Sequence, residues 1–141
     1  MIIKEQRFEM HSVIRTVIGK TEDFSLEINN IKEKLLHNKA YTTSPVVYRR
    51  DSDAREIELL FQVSCEDIKM VANEFEVFEN LVFERCLFVR FIRENEELVE
   101  IEDRIDKYAR QNDIKVEEPL LVLIPIPGGT VVDVYWPIKE K

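Results

Sequence analysis

The sequence predicts an α+β fold. In this fold a β-α-β-β motif is written twice to form an antiparallel sheet, with two helices on one face and a pseudo-twofold groove on the other. Three observations carry it. Several segments alternate apolar and polar residues with period two, as half-buried strands do. Two segments place apolar residues at helical spacing behind acid-rich openings. The order of these segments then recurs at a nearly constant offset.

Residues 6–18 alternate, with Phe8, Met10, Ser12, Ile14, Thr16 and Ile18 on one face and Arg7, Glu9, His11 and Arg15 on the other. A helix opens at Thr21-Glu22-Asp23-Phe24, where Thr can cap the free amides and two acids suit the positive end of the dipole. Phe24, Ile28, Ile31 and Leu35 form its apolar stripe. Ser44-Pro45 breaks the pattern before a short strand at 46–50, Asp51-Ser52-Asp53 turns the chain, and 56–64 alternates again. A connector covers about 65–78. The order then returns: a strand at 81–92, a helix opening at Asn95-Glu96-Glu97-Leu98 with Leu98, Ile101, Ile105, Tyr108 and Ala109 as its stripe, a strand at 120–126 after Pro119, and a last strand at 130–138. Gly128-Gly129 supplies the positive-φ residues of a tight hairpin.

The two copies, about 1–65 and 79–141, make one domain. The helix openings, Ile31 with Ile105, and Ser44-Pro45 with Glu118-Pro119 all match at an offset of 74. In the last strands 75 serves better, pairing Ile57 with Val132, Leu59 with Val134, Phe61 with Trp136 and Val63 with Ile138. The apolar parity agrees in both halves, which makes these eight residues core. The opposite face becomes the groove, lined by Glu58, Leu60, Gln62, Asp133 and Tyr135, with Cys86, Phe88 and Arg90 joining if the parity of the middle strand holds.

Composition narrows the function. A chain of 141 residues with 45% hydrophobic and 34% charged residues is globular in character. Its net charge of −8 argues against nucleic acid, and no polybasic stretch suits an anionic membrane. The longest apolar stretch, residues 120–126, is too short to span a bilayer, and the N-terminus reaches charge too early for a signal peptide. Two cysteines, Cys65 and Cys86, suit a reducing cytoplasm. Together with His11 and His37 they form no metal-ligand spacing, so no metal or cofactor is expected.

The doubled strand–helix–strand–strand order, the proline opening each copy's third element, and the ending Asp133-Val134-Tyr135-Trp136-Pro137-Ile138 resemble the GyrI-like effector-binding domains of the SOUL type. Such domains also form the ligand-binding half of some MerR-type regulators. Asp133, Tyr135 and Pro137 stand at the family's closing acid, Tyr and Pro. The resemblance implies a groove for amphipathic, often cationic or aromatic, small molecules. Some members resemble gyrase inhibitors, and some hydrolyse electrophilic small molecules with groove acids. Two positions depart from the pattern: the acid and Tyr that the family often carries in the strand after the second helix read Val122 and Ile124 here. With no helix-turn-helix, the chain resembles the acidic stand-alone members from Gram-positive bacteria.

The candidate ligand-binding residues are Asp133, Tyr135, Glu58, Leu60, Gln62, Tyr48 and Phe88. Asp133 and Tyr135 are two apart on a strand and share a face, so a carboxylate can balance a cation beside an aromatic ring. Glu58 could supply a second acid, and Tyr48 a rim. No catalytic residue is assigned, and the reading leans away from an enzyme. Three functions follow in order: a binding protein for a small amphipathic molecule, an interaction protein that meets a basic partner through its acidic surface, and a small hydrolase.

Overall fold

The computed structural model describes residues 2–19, 23–50, 55–66 and 68–139. The fold is α+β, with antiparallel strands β1 (Lys4–Gly19), β2 (Ala40–Thr42), β3 (Val47–Arg50), β4 (Glu56–Cys65), β5 (Glu76–Ile92), β6 (Leu120–Ile126) and β7 (Gly129–Pro137). Its helices are α1 (Phe24–His37), α2 (Ile68–Ala72) and α3 (Leu98–Gln111). The chain divides into two compact units, residues 9–81 and residues 1–8 with 82–141.

In the 9–81 unit β4 is the central strand. Leu59 pairs with Thr16 of β1 on one side and Tyr48 of β3 on the other. The far end of β4 pairs with β2, Thr42 opposite Val63. One face of this ladder presents Ile14, Ile18, Leu59, Phe61 and Val63, and α1 buries Ile31 and Leu35 among them. The Asp23 carboxylate caps α1 by accepting the Leu26 N–H at 3.1 Å. Thr21, the other candidate cap, lies outside the described residues, as does the turn expected at Asp51-Ser52-Asp53. Lys39 takes a φ of 57° just past the Asn38 C-cap, which ends the helix.

The 82–141 unit repeats that pairing order around β7. Val134 pairs with Val89 of β5 on one side and Leu121 of β6 on the other. Val132, Val134 and Trp136 are buried on one face with Leu87, Val89 and Phe91 of β5, and α3 buries Ile101, Ile105 and Ala109. Each Val, Leu, Ile or Phe among them contributes roughly 1.5–3 kcal/mol when fully buried.

The structure departs from the sequence expectation in four places. β1 does not keep one parity: Ser12 takes a left-handed φ of 51°. The buried positions step from Phe8 and Met10 to Val13 and Ile14. Ile14 joins the core under α1, whereas Phe8 packs on Tyr135. A single residue off the β region shifts the alternation of everything beyond it. β2 is an additional strand, three residues being too few to show a period. The connector contains α2, and β5 begins at Glu76 rather than 81, because Val77 and Phe75 still pack on the 9–81 core. Finally, only Gly128 of the Gly-Gly pair has positive φ, at 83°. Gly129 makes a different contribution: a Cβ there would stand 2.7 Å from the Glu94 carboxylate and displace that flexible side chain, which accepts the Thr130 N–H at 3.0 Å.

Candidate functional site

Asp133 lies on the face of β7 opposite Val132 and Val134. Its neighbours across the ladder are Arg90 on β5 and Val122 on β6, so these three side chains form one row. Val122 thus occupies the position directly beside the Asp133 carboxylate. An acid at 122 would meet another acid, and the apolar Val122 leaves the carboxylate with a single charged neighbour in its row.

That neighbour is Arg90. Its Nε donates to Asp133 Oδ1 at 2.7 Å and its Nη2 to Oδ2 at 2.8 Å, a two-pronged bond that uses one edge of the guanidinium. The two partners sit at different depths, with side-chain exposures of 6% for Asp133 and 62% for Arg90. Asp133 is the single buried polar or charged residue among the described residues. A buried carboxylate is tolerated only when it is paired and hydrogen-bonded, and here Arg90 does both. The bonds and charge of Asp133 hold the Arg90 pKa above its ordinary value.

The next row outward from Asp133 is Phe88, Tyr135 and Leu120. The Tyr135 ring lies between two phenylalanines, with centroids 4.9 Å from Phe8 and 4.9 Å from Phe88, and Phe8 in turn meets Phe83 at 6.3 Å. Such tilted and edge contacts each add roughly 0.5–1.5 kcal/mol beyond area burial. Burial raises the Tyr135 pKa, and the Asp133 charge raises it further, against the opposing effect of Arg90. The phenol therefore keeps its proton at neutral pH and remains a donor. Asp133, Tyr135 and Phe88 are thus brought together, on one face of one unit.

The other candidates belong to the 9–81 unit. Glu58 accepts from Arg15 Nε at 3.1 Å, and the same guanidinium reaches Glu76 at 3.1 Å. Burial works against the Arg15 charge, but its bonds to Glu58 and Glu76 outweigh this and raise its pKa. In both units, then, the carboxylate on the central strand is answered by an arginine from the unit's long first strand. Leu60 is buried, paired with Arg15 on one side and Val47 on the other. The Gln62 side chain serves the backbone: its Oε1 accepts the His11 N–H at 2.9 Å, next to the break at Ser12, and its Nε2 donates to Thr43 Oγ1 at 3.3 Å. Tyr48 is on the other face from Glu58 and Leu60. It packs on the core under α1, with its ring 5.5 Å from Phe24.

Sequence reasoning did not foresee two contributors. Arg90 was placed only conditionally on this face, and its role as partner of Asp133 depends on the β5–β7 register, which no local motif reveals. Phe8 was assigned to the parity of Ile14, and the break at Ser12 moved it to Tyr135.

Neither a protein-family model nor a curated protein matches the chain. Solved structures do. One is the crystal structure of the EcmrR C-terminal domain, 13% identical, covering 100% of both chains with a TM-score of 0.68. Another is the crystal structure of a hydrolase from Listeria innocua, 9% identical, with a TM-score of 0.62 over 96% of this chain and 92% of that one. At these identities the likeness is one of fold. The chain shares the α+β fold of these two solved structures.

Proposed function

We propose that the chain is a GyrI-like small-molecule-binding protein, and that a small amphipathic molecule is taken at the Phe88–Tyr135 face of the 82–141 unit. The observation that carries this reading is the half-buried Tyr135 ring, held by edge and tilted contacts between Phe8 and Phe88 and lying one row from the buried Asp133. An apolar body gains by leaving water for such rings, and the polar row beside them fixes its orientation. The matching pairing orders around β4 and β7 support internal duplication of one β-α-β-β motif within a single domain: the row Thr16, Leu59, Tyr48 corresponds to Val89, Val134, Leu121. A cytoplasmic setting agrees with Cys65 and Cys86 forming no disulfide. No helix among the described residues is long and apolar enough to cross a membrane.

The test is a thermal-shift screen with small aromatic acids, amides and amines on the unmodified chain and on Tyr135→Ala. The reading predicts hits whose stabilisation is lost in Tyr135→Ala. A screen without hits, or hits indifferent to Tyr135, contradicts it. Co-purification of a basic protein in that event would favour the interaction reading.

A further inference from the structure

Asp133 does balance a cation, and that cation is Arg90. This changes what the face offers a ligand. Of the five N–H groups of a guanidinium, Arg90 commits one on Nε and one on Nη2 to Asp133. The edge formed by Nη1 and the second Nη2 hydrogen points away from that contact, and the side chain is 62% exposed. Among the described residues no other acid pairs with Arg90, and nothing bonds to that edge. The Tyr135 hydroxyl likewise has no hydrogen-bond partner among the described residues, and it lies close enough for its charge state to couple to both Arg90 and Asp133. The available groups beside the rings are therefore donors. The buried Asp133 carboxylate has both oxygens occupied by Arg90.

We infer that the ligand of this face carries an anionic group of the carboxylate class, received by the outward edge of Arg90 and the Tyr135 hydroxyl, while its apolar body lies on the half-buried Tyr135 ring, which the buried Phe88 backs. This rests on the binding reading above and specifies its ligand. Asp133 is then a positioning residue: it locks the guanidinium fork in place, so that little conformational freedom is lost when the anion arrives. The net charge of −8 opposes an anion only at long range, because charges beyond about 8 Å are largely screened at physiological salt. A cation would have to displace Arg90 from two charge-assisted bonds before reaching the carboxylate.

The experiment compares three probes with one ring system: 1-naphthylacetate, 1-naphthylacetamide and 2-(1-naphthyl)ethylamine. Each is titrated calorimetrically into the full chain at neutral pH. The acetate should bind about tenfold more tightly than the amide, the worth of one charge-assisted hydrogen bond, and the amine most weakly. Arg90→Lys keeps the charge but not the fork and should retain part of the preference. Arg90→Gln alone leaves Asp133 unpaired and can impair folding, so the decisive variant is Arg90→Gln with Asp133→Asn. It should bind acetate and amide about equally. An amine that outbinds the acetate, or a double variant that keeps the acetate preference, overturns the inference. Amide binding that depends on Tyr135, with no gain for the acetate, overturns it while leaving the binding function intact. No binding by any probe overturns both.

Discussion

Replacing Arg90 and replacing Asp133 should not cost the same, although both break the same pair of hydrogen bonds. In Arg90→Gln a carboxylate with 6% side-chain exposure loses its counter-charge. Removing one partner of a fully buried ion pair costs about 3–5 kcal/mol. This pair is open on the arginine side, so water can reach in where the guanidinium stood, and the loss should fall to about 2–3 kcal/mol. In Asp133→Asn the group left behind is a guanidinium that is 62% exposed and already hydrated, and the amide still accepts one bond. That loss should be about 1 kcal/mol. Urea unfolding followed by Trp136 fluorescence measures both, with slopes checked for equality. At about 4 °C per kcal/mol for a domain of this size, melting points should fall by about 8–12 °C and about 4 °C. The double variant should cost less than the sum, since two neutral amides can satisfy each other. An Asp133→Asn loss equal to or larger than the Arg90→Gln loss would refute the reasoning, because it would mean that burial of the carboxylate does not set the asymmetry.

Three further perturbations test the surrounding structure. Gly129→Ala should cost about 1 kcal/mol by pushing Glu94 off the Thr130 N–H; in a Glu94→Ala background that cost should disappear, as a double-mutant cycle in urea would show. Gln62→Ala should cost about 0.5–1.5 kcal/mol by removing the acceptor of the exposed His11 N–H at the Ser12 break, and hydrogen exchange at that amide should rise with it. Because the folded-state pKa of Tyr135 is raised, the unfolded chain releases the phenolic proton first as pH climbs. Its contribution to stability is full below about pH 10 and is lost as pH rises through the folded pKa; melting temperatures across pH 9–12 should fall less steeply in Tyr135→Phe.

Much of the fold was legible because it rests on side-chain period. The alternation of Leu59, Phe61 and Val63, and of Val132, Val134 and Trp136, placed the central strands and their buried face. The stripes through Ile31 and Leu35 and through Ile101 and Ile105 placed α1 and α3. The same parity correctly put Asp133 beside Tyr135, and it put Phe88 with them once β5 took its register. What stayed hidden depends on contacts between segments distant in sequence. Nothing near Arg90 announces that residue 133 is its partner, 43 positions away. Ser12 has no glycine-like signature to warn of its left-handed backbone, and so Phe8 was read on the wrong face. Tyr48 has an apolar side as well as a hydroxyl, and period two alone cannot tell a core tyrosine from a rim tyrosine.

The central claim is that the Arg90–Tyr135 face receives the ligand, and an NMR titration of the 15N-labelled chain with 1-naphthylacetate tests it most directly. Shifts concentrated at the Phe88, Arg90, Asp133 and Tyr135 amides and at the Arg90 Nε–H are the predicted result. A response confined to other surfaces, such as the exposed side of α3, with the Arg90 Nε–H unmoved, would contradict it.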